Sequence, residues 1–272
     1  MPRIEETQIA GPHARARPNL RRLGNAGLPV CALLFLFASA TPSQAGCGDE
    51  AAPGVDWTEC DKMRLMMGAV DLSDGELVQT FFSSTDLRGA KLNEANLSLA
   101  ELSNASLAGA DLSGALLEKA VGTRADFSAA NLAGANLNAA EFSRTNFQRA
   151  NLTGVNFVNS EMNRSDFTEA DLTGSDMSKA ELARVILRDA VIAGVPFSYS
   201  NLSRADLSGT DLDDAELTGT YMYLTRLDGA DLSRTKGLTQ YQLSLACGST
   251  QTMLPEGLTI PEHWPCPDYS AE

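Results

Sequence analysis

The sequence predicts a repeat solenoid, a fold built by stacking short similar units rather than by closing around one centre. The period is the first observation. Cut in fives, residues 95–114 read ANLSL, AELSN, ASLAG, ADLSG, with a leucine always two places after an alanine. A helix repeats its apolar face at about 3.6 residues and a strand at 2, so a strict five is neither. The second is persistence. Across 33 blocks from Leu72 to Leu232 the third residue is Leu, Ile, Met or Phe in all but one, and no insertion or deletion breaks the frame. The third is the first residue of each block, which is always Ala, Ser, Thr, Gly or Val. A five-residue unit with one large and one small buried residue cannot form a core alone, so its neighbours must supply the rest.

The exception in the frame is Gly122, within VGTRA at 121–125. It leaves an inward gap facing Leu102 and Phe142, expected as a small bulge or kink. Walked backward, the frame continues through VDWTE, CDKMR and LMMGA, giving 36 blocks and placing Trp57, Lys62 and Met67 in the large position. Lys62 is its one charged occupant.

The A(D/N)LXX pattern resembles the pentapeptide-repeat family. That resemblance implies an all-β fold, a right-handed quadrilateral β-helix in which four blocks make one coil. The large residue points inward, the small one tucks beside it, and the other three face water. With 20 residues to a coil, positions 20 apart stack at about 4.8 Å, so about nine coils make a rod roughly 40 Å long. Phe127, Phe147 and Phe167 then share one side, and Phe157 and Phe197 another, as core packing.

The ends differ in kind from the rod. Arg15, Arg17, Arg21 and Arg22 precede the apolar run GLPVCALLFLFASA (27–40), and Ser43 and Ala45 follow as small residues. Residues 1–45 are therefore expected to be a secretory signal peptide cut after Ala45. The run is short of the roughly 20 residues a membrane span needs, so the mature chain is expected to have none. The remainder divides into an N-terminal cap (46–54), the solenoid (55–235) and a C-terminal cap (236–272). Removing 1–45 takes away five Arg and two Glu, moving the net charge from −14 to −17.

Cys31 leaves with the signal peptide, and Cys47, Cys60, Cys247 and Cys266 remain. An even count in an exported chain reads as disulfides, and four cysteines allow three pairings. In the rod that the resemblance implies, the ends lie far beyond the roughly 7 Å that bridged Cα atoms tolerate. This pairs Cys47 with Cys60 and Cys247 with Cys266, and it also opposes one zinc site built from all four. The C-terminal cap starts where the frame fails, at Lys236 and Gly237. Thr239 and Gln242 have the spacing of a capping box. A short helix should run to about Ala246, laying Tyr241, Leu243 and Leu245 near the last coil, with a Pro-rich wrap after it. The PGVDW start (53–57) and the closing segment are similar to those of exported members of the family.

Chemistry finds little to work with. His263 is the one histidine of the mature chain. Nucleophilic triads need a positioned base and histidine metal clusters need several ligands. No enzyme activity, cofactor, metal or nucleic-acid partner is expected. Asp111, Asp171, Asp211 and Asp231 fall in one outward row, and Asp126, Asp166 and Asp206 in another. Their plain reading is a solvated face. A calcium-binding rod is an alternative, although calcium needs six or more converging oxygens. The resemblance adds a second alternative, because some family members imitate duplex DNA and bind DNA gyrase in the cytosol.

The outward pattern fails between 185 and 224. Ile186, Val191 and Pro196 take the place of Asp or Asn on three consecutive sides of one coil, and Tyr199, Tyr221, Tyr223 and Leu224 follow. Exposed apolar and aromatic clusters mark partner sites. The sequence therefore predicts a periplasmic or secreted, non-enzymatic scaffold or binding module for an envelope or extracellular protein. The acidic charge opposes side-by-side packing and leaves a cap-to-cap homodimer as the expected assembly.

Overall fold

The computed structural model describes residues 46–265. Along the solenoid, parallel β-bridges join residues 20 apart, from Asp56 with Glu76 to Glu216 with Lys236, and each five-residue block contributes one bridging residue. One circuit of this β-helix is thus four blocks.

The hydrogen bonding of one block is visible at Asn96–Ala100. The Asn96 N–H donates to the Gly75 carbonyl of the preceding coil at 2.8 Å, and the Leu97 and Leu99 N–H groups donate to Leu116 and Glu118 of the next at 2.7 and 2.9 Å. The Ala100 N–H closes a turn on the Leu97 carbonyl at 3.0 Å. That leaves the N–H of Ser98, and the Asn96 Oδ1 accepts it at 3.2 Å. The same contact recurs from Asp56, Asp111, Asn151, Asp206 and Asp231. An Asp or Asn in second place therefore satisfies the one backbone donor that the ladder and the turn do not use, which explains the preference in physical terms.

Closing a turn of this kind requires positive φ at its second central residue. Every fifth residue from Gly54 to Gly229 has it, and most are not glycine. Left-handed backbone costs an ordinary residue roughly 1 to 2 kcal/mol, and it persists where surrounding bonds over-determine it. Opposite substitutions should therefore shift stability in opposite directions. Ala129→Gly (φ 54) is expected to stabilise, and Gly134→Ala (φ 70) to destabilise although its Cβ would meet nothing within 4 Å. Both effects should be on the order of 0.5 to 1 kcal/mol in urea unfolding.

The large positions from Leu72 to Leu232 are all buried, Gly122 among them, and Trp57, Lys62 and Met67 are buried as well. Phe127 and Phe147 stack at 5.3 Å and Phe147 and Phe167 at 5.0 Å, as the 20-residue spacing predicts. Gly122 departs from expectation. There is neither gap nor bulge, since bridges run from Glu101 through Val121 to Glu141. The Phe142 ring fills the space, so that a Cβ on Gly122 would lie 2.0 Å from its Cε1. Phe142 in turn meets Phe127 edge-on at 5.5 Å.

At the N-terminal end Cys47 and Cys60 form a disulfide with Cα atoms 5.3 Å apart. Lys62 caps the core from within. Its Nζ donates to the Cys47 carbonyl at 2.8 Å and sits 3.7 Å from the centre of the Trp57 ring. Burial pushes its pKa down, while the Asp49 carboxylate acts in the opposite sense.

The C-terminal end is closed by α1 (Gln240–Leu245), with the capping box between Thr239 and Gln242 in place. Leu243 is buried and Leu245 half-buried, but Tyr241 points to solvent at 72% exposure. The buried place beside Leu243 goes to Gln242, whose Nε2 donates to the carbonyls of Leu217 and Thr220 at 2.7 and 3.0 Å. A tyrosine on that side could not have satisfied both acceptors, because its hydroxyl has one proton. Beyond the helix, Arg226 bridges to Cys247 and Asp231 to Met253, so the frame resumes with added residues. The wrap is held by the Trp264 Nε1–H, which donates to the Ala246 carbonyl at 2.8 Å. Cys247 is disulfide-bonded. Cys266 and the expected signal peptide lie outside the described residues.

Candidate functional site

The seven residues of the 185–224 band do not form one surface. Ile186, Val191 and Pro196 are separated by five residues each, one per block, and so face three different sides. Ile186 is half-buried between Asp166 and Asp206, and Pro196 is half-buried above Glu216. Val191 is 50% exposed. The tyrosines do converge. Tyr221 stands under Asn201 in the ladder and stacks with Tyr223 at 6.4 Å, their rings 12° apart. The Tyr199 ring lies over Gly219, where an added Cβ would be 2.7 Å from its Cδ1. Gly219 is two residues before Tyr221, so the exposed Tyr199 ring sits at the corner where the Tyr221–Tyr223 side begins, with Leu224 half-buried at its far edge. Glycine at 219 makes room for that ring.

Val191 marks something else. No bridge joins it to Asp211, and the Asp211 N–H to Ala190 carbonyl bond, present one coil on as Asp231 to Thr210 at 3.0 Å, is missing. A cleft of about 330 Å³ opens there between Asp189–Ala193 and Gly209–Asp211. Nearby, Asp176 has no bridge to Pro196, which lacks the N–H the ladder needs. The Thr210 hydroxyl bonds its own turn at Leu207, whereas those of Thr220 and Thr225 reach back to Phe197 and Leu202 in the coil before.

The acidic rows are not open carboxylate walls. Asn131, Asn151 and Val191 interrupt the first, and Asn146 and Ile186 the second. Each aspartate in them accepts the backbone N–H two residues on, as Asp171 does from Thr173 at 3.0 Å and Asp166 from Thr168 at 2.9 Å. Asn131 donates to Asp111 and Asn151 to Asn131, both at 2.9 Å. Among the described residues no three metal-ligating side chains converge, and no helix is long and apolar enough to cross a membrane.

One further column is visible only at a spacing of twenty. Arg124, Arg144, Arg164, Arg184 and Arg204 occupy successive left-handed corners, all exposed. Among the described residues none of the five lies within ion-pairing distance of a carboxylate. The five-residue frame hides them, because it treats every corner alike.

Family models agree with this geometry. The model described as pentapeptide repeats in eight copies matches residues 68–104, 80–118, 100–138 and 200–236, and that for a pentapeptide repeat region matches 122–197. The chain belongs to the pentapeptide-repeat family. Among solved pentapeptide-repeat structures, HetL from the cyanobacterium Nostoc sp. strain PCC 7120, involved in heterocyst differentiation regulation, is 25% identical. The match covers 79% of this chain and 95% of HetL, with a TM-score of 0.50. QnrB1, a plasmid-mediated fluoroquinolone resistance protein, is 15% identical over 72% of this chain and 94% of its own, with a TM-score of 0.42. No protein of curated function matches. The pentapeptide repeat thus accounts for the rod, while the tyrosine corner and the arginine column are built from outward residues that the repeat does not fix.

Proposed function

We propose that the protein is an exported, non-enzymatic scaffold that binds another protein through the Tyr199–Tyr221–Tyr223 corner. In this reading the rod is a right-handed, four-sided solenoid of about nine coils. Residues 1–45 direct export, 46–54 and 236–272 cap the ends, and the protein works in the periplasm or outside the cell. The observation that carries it is the tyrosine corner. Tyrosines offer large, rigid contact area with a polar tip and are enriched at protein interfaces. Four of the chain's five tyrosines lie between 199 and 241, and Tyr199, Tyr221 and Tyr223 are all exposed. The Cys47–Cys60 disulfide supports an oxidising compartment.

Two measurements test this. Intact mass and N-terminal sequencing of the protein from cell fractions should find an oxidised chain starting at Gly46 outside the cytosol. A reduced full-length cytosolic chain would remove the export half of the reading. Affinity capture from the exported fraction should lose its specific partner with Tyr221→Ala and Tyr223→Ala combined. Retention of the same partner would remove the tyrosine corner.

A further inference from the structure

The arginine column has a counterpart on the same side of the rod. The second-place residues of those blocks are Val121, Glu141, Glu161, Glu181 and Asn201, followed by Tyr221, and bridges stack them one above another. Each glutamate precedes its arginine by three residues: Glu141 and Arg144, Glu161 and Arg164, Glu181 and Arg184. All six side chains are exposed, and no ion pair joins a glutamate to its neighbour's guanidinium. Between the two columns run Thr123, Ser143, Asn163, Ala183 and Ser203, small and half-buried. One side therefore carries a negative stripe and a positive stripe, parallel to the axis, with a low strip between them.

We propose that this side binds a second copy of the chain, forming a two-fold dimer with both rods pointing the same way. The symmetry follows from the charges. A two-fold axis along the low strip places the glutamate stripe of each copy opposite the arginine stripe of the other. Glu141 then faces Arg144 of the second copy, and so on in register, because both stripes share the coil spacing of about 4.8 Å. An axis perpendicular to the rods would set glutamate against glutamate and arginine against arginine, which repel. A closed two-fold contact of this kind is isologous, made by one patch meeting itself. An elongated polyanion is a poorer occupant, because it would meet a glutamate beside Arg144, Arg164 and Arg184.

The ends of the same side are apolar. Tyr221 and Tyr223 close it below, and Phe81, 45% exposed, lies above Glu101 in the ladder. The dimer would bring the tyrosines of the two copies together, so the inference rests on the proposed role of that corner and names its occupant. Seven rows from Glu101 to Tyr221, at about 4.8 Å each and about 15 Å across, give roughly 500 Å² per copy. The total of about 1,000 Å² is at the lower bound for a specific interface, so the dimer is a reversible one. The net charge, −14 for the full chain and −17 once residues 1–45 are removed, repels at long range. Salt screens that repulsion beyond about 8 Å at physiological strength, while pairs in contact are screened much less. In this dimer a lateral contact takes the place of the cap-to-cap assembly expected from acidic charge opposing side-by-side packing, because the charge is not spread evenly over the sides.

Charge exchange tests it directly. One variant carries Arg144→Glu, Arg164→Glu and Arg184→Glu, the other Glu141→Arg, Glu161→Arg and Glu181→Arg. In sedimentation velocity at physiological ionic strength the wild type should double in mass as concentration rises through the micromolar range. Each variant alone should be monomeric, with its dissociation constant raised at least tenfold, and an equimolar mixture should recover a heterodimer, which also shows both variants are folded. The direction of the rods is read separately from Ser143→Cys, which should form a disulfide with its own copy. A monomeric wild type, a dimer that survives both exchanges, or a mixture that stays monomeric would each overturn the proposal. None of the exchanged residues is a tyrosine. Failure here therefore leaves the capture experiment as an independent test of the binding corner.

Discussion

Gly122→Leu is expected to destabilise the solenoid by about 3 kcal/mol, and Phe142→Leu in the same chain to restore most of that loss. The position looks like a defect in the repeat, and the obvious repair is to supply the missing leucine. The structure says otherwise, since the Phe142 ring already occupies the volume and even a Cβ would sit 2.0 Å from it. Overpacking a close-packed core costs roughly 1 to 3 kcal/mol, here at the upper end because Phe142 is fixed on its other side by Phe127 at 5.5 Å. Phe142→Leu alone should also destabilise, by about 2 kcal/mol, because it leaves a cavity over Gly122. Combined, each removes the other's fault, and a coupling energy on the order of 2 kcal/mol should appear in a double-mutant cycle by urea unfolding. Additive losses would mean that the ring and the glycine do not share one volume.

Cutting the N-terminal staple should produce the second large effect, and a local one. Cys47→Ser removes the tie to Cys60 across a sequence separation of 13 while leaving Cys60 in its buried place. Loop-closure arguments put the loss at about 2 to 4 kcal/mol. Because each coil contacts only its neighbours, the loss should stay at the end. With the cap released, the Lys62 ammonium loses the Cys47 carbonyl at 2.8 Å and stands over an unroofed Trp57. Hydrogen exchange should therefore speed up at Trp57, Lys62 and Met67 and remain slow at Leu137. Uniform acceleration along the rod would instead show that the solenoid unfolds as one unit.

What the sequence made legible was whatever the period itself controls. The inward residues from Leu72 to Leu232, the stacked Phe127, Phe147 and Phe167 and the Thr239–Gln242 capping box follow from spacing or local hydrogen bonding, and the Cys47–Cys60 pair from the rod that the family resemblance implies. The misplaced details belong to side chains competing for the same space or the same partner. Phe142 leans into the place of an absent leucine because a ring can cross from one coil to the next. Gln242 displaces Tyr241 from the core because two orphan carbonyls at the end of the coil demand two donors. The candidate site was half legible for a related reason. Apolar substitutions stand out residue by residue, so Ile186, Val191 and Pro196 were as visible as the tyrosines, yet only the 20-residue circuit tells which of them meet. The arginine column consists of ordinary surface residues and becomes a feature only when stacked.

The identical corners carry a consequence for how such a chain can change length. Each block closes its own turn and hands the next an equivalent starting point, so the loss or gain of five residues leaves every corner intact. The same event moves all later residues onto the next side of the circuit. A five-residue deletion between Arg144 and Arg164 would split the arginine column between two sides while leaving every turn closed. Only steps of twenty preserve both the backbone and the surface written on it. Genetic drift in length is thus nearly silent for folding and strongly audible for recognition, and relatives of this chain can share the rod while presenting unrelated faces.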